Sequence, residues 1–256
     1  VVGNDGAGEL FCSLLSNTAI STDCIIKLEN RRTTVKQRII SGNQQLLRID
    51  DEQTKPIDDV QENLLINKIN QIFKNYVIDA ILFEDYDKGC LTQRVISHII
   101  DQSKVLNIPT SVDPKKRNFH YYKGVTLFKP NFKEFCEGLK IDLAKSDVQG
   151  IFPISKQFQK QMDIEIMLIT LSECGVFISS NETYVHIPTH VREIADVSGA
   201  GDTVIAVVTL CLASGLNNKQ IAQIGNLAGG IVCEQIGVVP IEKERLLQEI
   251  VKHKIE

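Results

Sequence analysis

Apolar positions along the chain follow two alternating rhythms. From residue 60, Val60, Leu64, Leu65, Ile69, Ile72 and Phe73 recur at spacings of three and four, which predicts a helix, and the apolar run at 77–83 predicts a strand. The alternation continues with a helix over about 91–106, a short strand ending near Val112, a strand at 125–128 and helices over much of 131–161. A strongly apolar strand follows at 164–171, then strands at about 175–179 and 183–187, and closing helices at about 200–214, 218–235 and 241–253. Strands that are apolar almost throughout indicate a mostly parallel sheet covered on both faces, an α/β fold. Before residue 60 the pattern differs. Val1-Val2-Gly3 reads as the tail of a buried strand, and Leu10, Phe11, Leu14 and Leu15 mark an amphipathic helix. Two β-rich stretches, 33–40 and 44–50, flank Ser41-Gly42-Asn43 and predict a hairpin. No repeat or linker interrupts the 256 residues, so a single domain with a hairpin excursion at about 25–50 is expected.

Composition narrows the picture only slightly. A hydrophobic content of 43% with 23% charged residues is ordinary for a globular protein, and a net charge of −4 argues against nucleic acid as the main partner. No apolar run reaches the length of a membrane span and no signal peptide is visible, so no membrane partner is expected. The seven cysteines are scattered, without Cys-x-x-Cys pairing, and the five histidines lack metal-ligand spacing. That pattern fits reduced thiols and a cytoplasmic location.

The chemistry concentrates at residues 196–203, Asp-Val-Ser-Gly-Ala-Gly-Asp-Thr. Gly199, Gly201 and Asp202 precede Val204, Ile205, Val208 and Leu212, whose spacing marks the buried face of a helix. Unpaired amides and the positive dipole end favour an anion at such a helix start. A bare Gly-x-Gly-Asp also serves as a tight turn with an acidic first-turn residue. With Asp196, Ser198 and Thr203 around it, the segment resembles the signature of the PfkB-type, ribokinase-like carbohydrate kinases. That resemblance implies a three-layer α/β/α fold, Asp202 as catalytic base, and Gly199, Ala200 and Gly201 as the anion hole under the transferred phosphate.

Polar groups also gather where the predicted strands end, the edge at which open parallel sheets bind ligands. They are Glu84 to Gly89, Asp113 to Arg117, Lys129 to Glu134, and Thr170, Ser172, Glu173 and Gly175. Each alone is an ordinary turn or helix start; their shared edge is the argument. Asn131-Phe132-Lys133-Glu134 resembles the family's Asn-x-x-Glu motif. This implies that these residues touch the nucleotide and that Glu134 organises magnesium through water. By the same resemblance Thr170, Ser172 and Gly175 meet the ATP phosphates. Asn226 and Gly229 line the adenine pocket, although close helix packing explains small residues there equally well. ATP and magnesium are therefore the expected cofactors, with a monovalent cation left open.

The hairpin carries a narrower likeness. Thr33 to Arg38 and Asn43 to Asp50, with Asp85-Tyr86-Asp87-Lys88-Gly89, Asp113-Pro114-Lys115, Pro188-Thr189 and Arg192-Glu193, resemble the heptose-phosphate kinases that make heptose 1,7-bisphosphate for ADP-heptose synthesis. The implied acceptor is D-glycero-D-manno-heptose 7-phosphate, held by Lys36, Arg38, Gln44, Arg48, Asp85, Lys88, Asp113 and Lys115. Fixed cations suit a substrate that already carries a phosphate. The likeness also implies a homodimer through the lid hairpin. Glu84 stands where these enzymes usually have serine, and Asp87 and Lys116 depart from the pattern as well. The family's first strand, its Gly-Gly-Ala-Asn segment and the His-x-Gly-His nucleotidyltransferase half are not within these residues. A kinase for another sugar or a nucleoside, and a nucleotide-binding relative without catalysis, are the competing readings.

Overall fold

The computed structural model describes residues 1–41, 44–180, 182–189 and 192–255. The chain folds as two compact units, Val1–Val77 with Asp87–His98, and Ile78–Tyr86 with Ile99–Glu256. In the first, β1 (Val2–Gly3) pairs in parallel with β2 (Lys27–Leu28) on either side of α1 (Gly6–Leu15). Asp5 caps α1, accepting from the Gly8 amide at 2.8 Å, and the same carboxylate accepts from the Thr33 amide and hydroxyl at 2.9 and 2.7 Å. The expected hairpin is present as β3 (Val35–Ser41) and β4 (Gln44–Asp51), antiparallel, with Arg38 opposite Arg48 and Lys36 opposite Asp50. Its turn residues Gly42 and Asn43 lie outside the described residues. Helix α2 (Asp59–Asn75) begins with a reciprocal capping box between Asp58 and Gln61.

The second unit is a helix–sheet–helix sandwich. Its strands are β5 (Ile81–Glu84), then, after α3 (Gln93–Leu106), β6 (Thr110–Asp113), β7 (Leu127–Phe128), β8 (Ile166–Thr170), β9 (Val176–Ser180) and β10 (Thr183–Ile187). They form one sheet in the order β10-β9-β8-β7-β6-β5, parallel from β5 to β8 and antiparallel at β9 and β10. The helices are α4 (Phe132–Leu139) and α5 (Val148–Met162) before β8, and α6 (Ala200–Ala213), α7 (Asn218–Cys233) and α8 (Lys243–Lys252) after β10. Alternate strand residues divide between two cores, as the two-residue period requires. Leu127, Ile166, Leu168, Val176 and Ile178 pack with Val204, Ile205 and Val208 of α6 and Ile221, Ile224 and Ala228 of α7. On the other face Phe128 meets Phe158 of α5 and Phe119. A buried polar net joins Ser155, Gln159 and Ser179 there, with hydrogen bonds of 2.7 and 2.8 Å.

Several expectations need correction. Leu10, Phe11 and Leu14 form no buried face; they are exposed, and α1 packs through Gly8, where an added Cβ would sit 2.4 Å from the Gly3 carbonyl oxygen. In α2, Val60 and Leu64 are likewise exposed, and the buried positions are Glu62 and Ile66. The strand expected at 77–83 begins only at Ile81, because its partner β6 starts after Pro109 and pairs Ile81 with Thr110. The one expected at 125–128 is reduced to Leu127–Phe128. The seven cysteines are unpaired, and among the described residues no helix is long and apolar enough to cross a membrane.

Candidate active site

Helix α6, like α8, opens without a side-chain cap. Gly199 occupies the N-cap position at φ +79°, left-handed backbone that favours glycine, and gives no side-chain cap. Helices α1, α2, α4, α5 and α7 all have a side-chain acceptor at that position. The turn before α6 is held from behind by Asp196, whose carboxylate accepts from the Ser198 and Gly237 amides at 2.9 and 3.0 Å. These bonds, the Ser198 amide foremost, hold the Asp196 carboxyl below its ordinary range. Asp202 therefore stands in the first turn of a helix whose opening amides have no side-chain acceptor.

Two further carboxylates converge on it. Glu84 and Asp113 are register partners at the carboxyl ends of β5 and β6. One carboxylate oxygen from each of Glu84, Asp113 and Asp202 lies within 4.8 Å of the other two. The Tyr86 hydroxyl donates to Asp202; burial first, and then this bond and the nearby carboxylates, hold its pKa above the usual phenol value. Lys129, immediately after β7, is 2% exposed and places Nζ 3.2 Å from Asp113 Oδ2. That Nζ is 3.9 Å from where a Cβ on Gly201 would sit. Lys115 lies 3.5 Å from Asp113 Oδ1 and 2.7 Å from Glu134 Oε1. Burial works against its charge, but Asp113 and Glu134 outweigh it and hold the ammonium above its ordinary range.

Asn131 and Glu134 form a capping box at the start of α4, with mutual bonds of 2.9 and 2.8 Å. Both Glu134 oxygens are thus engaged, one by the Asn131 amide and one by Lys115. Phe132 is turned into the core at 9% exposure, while Lys133 faces solvent near Glu137. Asn131 also bridges the end of β8 at Thr170.

Next to the start of α6 lies a cleft of about 360 Å³ that gathers most of the expected nucleotide residues, Thr170, Ser172, Gly175, Asn226 and Gly229, with Ala200 and Gly201. Gly175 has φ +91°, and a Cβ there would meet the Ile187 carbonyl oxygen at 2.0 Å. Asn226 donates its side-chain amide to the Pro188 carbonyl at 2.9 Å. Arg192 also lines the cleft, stacked against Gly230 and ion-paired with Glu234 and Glu249.

Asp85 departs from its expected role in substrate binding. It is 3% exposed, and its Oδ2 accepts from Asn118 at 2.9 Å and from the Tyr122 hydroxyl at 2.8 Å, an internal anchor for the segment after β6. The remaining sugar candidates belong to the first unit. Arg48 is paired with Asp50 at 2.6 Å and Lys88 with Glu52 at 2.7 Å. Lys36 and Arg38 are exposed on β3. Gln44 lies in β4, its side chain outside the described residues.

The sequence reading placed Glu84, Tyr86 and Lys129 among the polar groups at the strand-end edge but gave none of them a role of its own. Strand-end position was their one signal.

Residues 1–244 match the model of the pfkB family carbohydrate kinases. The chain belongs to that family. Its kind of chemistry is phosphoryl transfer to a sugar hydroxyl. It is 37% identical over 246 residues to the bifunctional protein HldE of Nitratiruptor sp., covering 96% of this chain and 51% of that protein. The bifunctional protein HldE of Helicobacter hepaticus is 34% identical over 250 residues, covering 98% and 51%. The chain thus spans about half the length of the curated relatives it matches. Among solved structures, phosphofructokinase-2 from Escherichia coli in complex with potassium superposes with a TM-score of 0.82 at 17% identity, over 98% of this chain and 80% of that one. The same enzyme in complex with fructose-6-phosphate gives 0.73 at 16%, over 98% and 79%. These likenesses establish the ribokinase-like fold.

Proposed function

We propose that this protein transfers the terminal phosphoryl group of ATP to the anomeric hydroxyl of D-glycero-D-manno-heptose 7-phosphate, giving the 1,7-bisphosphate used for ADP-heptose. The observation that carries the reading is Asp202 in the first turn of an uncapped helix beside the apolar cleft. In-line transfer needs a proton acceptor at the attacking hydroxyl and fixed donors around the migrating group. Asp202 takes the proton, and the amides from Gly199 to Asp202 hold the phosphoryl oxygens. Lys129 adds a buried positive charge beside Gly201. Val176, Val204 and Gly229 offer a flat base an apolar bed.

Magnesium fits this surplus of carboxylates. With both its oxygens engaged, Glu134 would hold the ion through water. Bound there, the ion would neutralise phosphate charge. The heptose phosphate is favoured by the HldE relatives and by the hairpin's cations, of which Lys36 and Arg38 are assigned to the substrate phosphate. Ile39, Leu47 and Ile49 lie on one exposed face of the hairpin, the face assigned to a homodimer contact. A cytoplasmic location completes the reading.

The test is Asp202→Asn with a panel of acceptors in an ADP-release assay. Turnover should fall by roughly two to four decades, the range for a general base, with ATP affinity nearly unchanged. Near-normal turnover in that variant would remove Asp202 from its role. Unphosphorylated sugars or nucleosides that outcompete sugar 7-phosphates would reassign the acceptor. ATP binding without acceptor-dependent turnover would leave a binding module.

A further inference from the structure

We infer that Ser111 and Thr209 are positioning residues: their buried hydrogen bond sets where helix α6 stands along strand β6, and so where Asp202 and the opening amides of α6 meet the strand ends. The inference rests on Asp202 acting as the base. Ser111 Oγ lies 2.5 Å from Thr209 Oγ1, with both residues buried. Thr209 Oγ1 is also 2.7 Å from the Ile205 carbonyl oxygen, one turn back in α6. A hydroxyl has one proton and a carbonyl can only accept, so Thr209 donates to Ile205 and accepts from Ser111. Neither proton is stranded in the core.

Two periodicities carry that bond to the site. Ser111 and Asp113 are two residues apart on β6 and share a face. Thr209 and Asp202 are seven apart on α6, about two turns, and share a stripe. Ser111 stands in register between Leu82 of β5 and Leu127 of β7, which pack into the core under α6. The seam between β6 and α6 thus has two rungs. Ser111 meets Thr209 inside the core, and Asp113 meets Asp202 at the strand end, with carboxylate oxygens within 4.8 Å.

The rest of the inner rung is aliphatic, made by Leu82, Leu127, Ile205 and Val208. Aliphatic contacts are non-directional, whereas a hydrogen bond weakens steeply away from its preferred distance and angle. Replacing both members of a buried neutral pair by apolar groups of like shape is nearly neutral for stability. The contribution of Ser111 and Thr209 is therefore to register. A helix that slides on β6 carries Asp202 with it, and reacting groups must be held within about 0.5 Å of their productive geometry.

The experiment compares the wild type with Ser111→Ala/Thr209→Val and with the exchanged pair Ser111→Thr/Thr209→Ser, which keeps both hydroxyls and the summed volume. The readouts are crystal structures, thermal unfolding, and kcat with the acceptor that the ADP-release panel identifies. In the apolar double, α6 is expected to shift along β6 and kcat to fall by roughly ten- to a hundredfold, with Tm close to wild type. The exchanged pair should hold α6 in place and keep kcat within a few fold. An unmoved α6 or an unchanged kcat in the apolar double would overturn the inference. An equal loss of kcat in the exchanged pair would overturn it too, by giving the register to side-chain shape. Should the double not fold, Ser111→Ala, which leaves Thr209 bonded to Ile205, takes its place under the same criteria. Asp202→Asn separates the two readings. Full turnover in that variant, with α6 displaced and kcat reduced in the apolar double, ends the base assignment and leaves the positioning role standing through the opening amides.

Discussion

Lys129 Nζ lies 3.2 Å from Asp113 Oδ2 with the lysine side chain only 2% exposed, so the two charges meet largely out of water. Removing one partner of such a pair leaves the other charge buried, at a cost of about 3–5 kcal/mol. Lys129→Met is expected to lose that much in urea unfolding. Lys129→Met combined with Asp113→Asn should recover a large part. A double variant no more stable than the single would show that the two residues are not coupled.

Gly199 sits at φ +79° with a prospective Cβ 3.0 Å from Val238 Cγ1. Gly199→Ala should cost roughly 1–2 kcal/mol through left-handed strain, and it should lower kcat by displacing the first amides of α6. Gly6→Ala is the control, since nothing lies within 4 Å of its Cβ position. Equal effects of the two substitutions would remove the special role of the turn.

Helices α6 and α7 approach closely through glycine. A Cβ on Gly225 would stand 2.7 Å from Val208 Cγ2, and one on Gly229 2.8 Å from Val204 Cγ2. Gly229→Ala is therefore expected to destabilise by about 1–3 kcal/mol, as overpacking does. Adding Val204→Ala should relieve most of the clash. Thermal unfolding of the two singles and the double gives the coupling directly, and additive losses would contradict it.

Glu249 is held down to about 2, first by the hydrogen bond from Lys252 and then by Arg192. A depressed carboxyl contributes stability above its unfolded value of 4.5, lost as pH falls toward 2. The Tm advantage of the wild type over Glu249→Gln should shrink through that acid window. A constant difference between the two would dismiss the pair as a source of acid sensitivity.

Much of the second unit was legible because its strands and helices carry strong, distinct periods. The helix expected at 200–214 is α6, Ala200–Ala213, with Gly199 at the turn. Periodicity failed where burial depends on a remote partner. Leu10, Phe11 and Leu14 have a helical stripe, yet α1 packs on its glycine side. The motif reading assembled the cleft around Thr170, Ser172, Gly175 and Asn226. It could not foresee that Asp85 turns inward to Tyr122, or that Glu84 and Lys129 meet around Asp113. Such convergence is set by strand register, as in Glu84 opposite Asp113, and register between distant segments leaves no trace in local spacing.

Because Gly199 supplies no cap, an anion seated at the head of α6 does for that helix what Asn217 does for α7. Its affinity is then thermodynamically linked to folding, since any species that binds only the native state raises the unfolding temperature. An uncapped helix end thus coincides with the proposed seat of the chemistry, so the protein is expected to grow sturdier when it is loaded and to slacken as product departs.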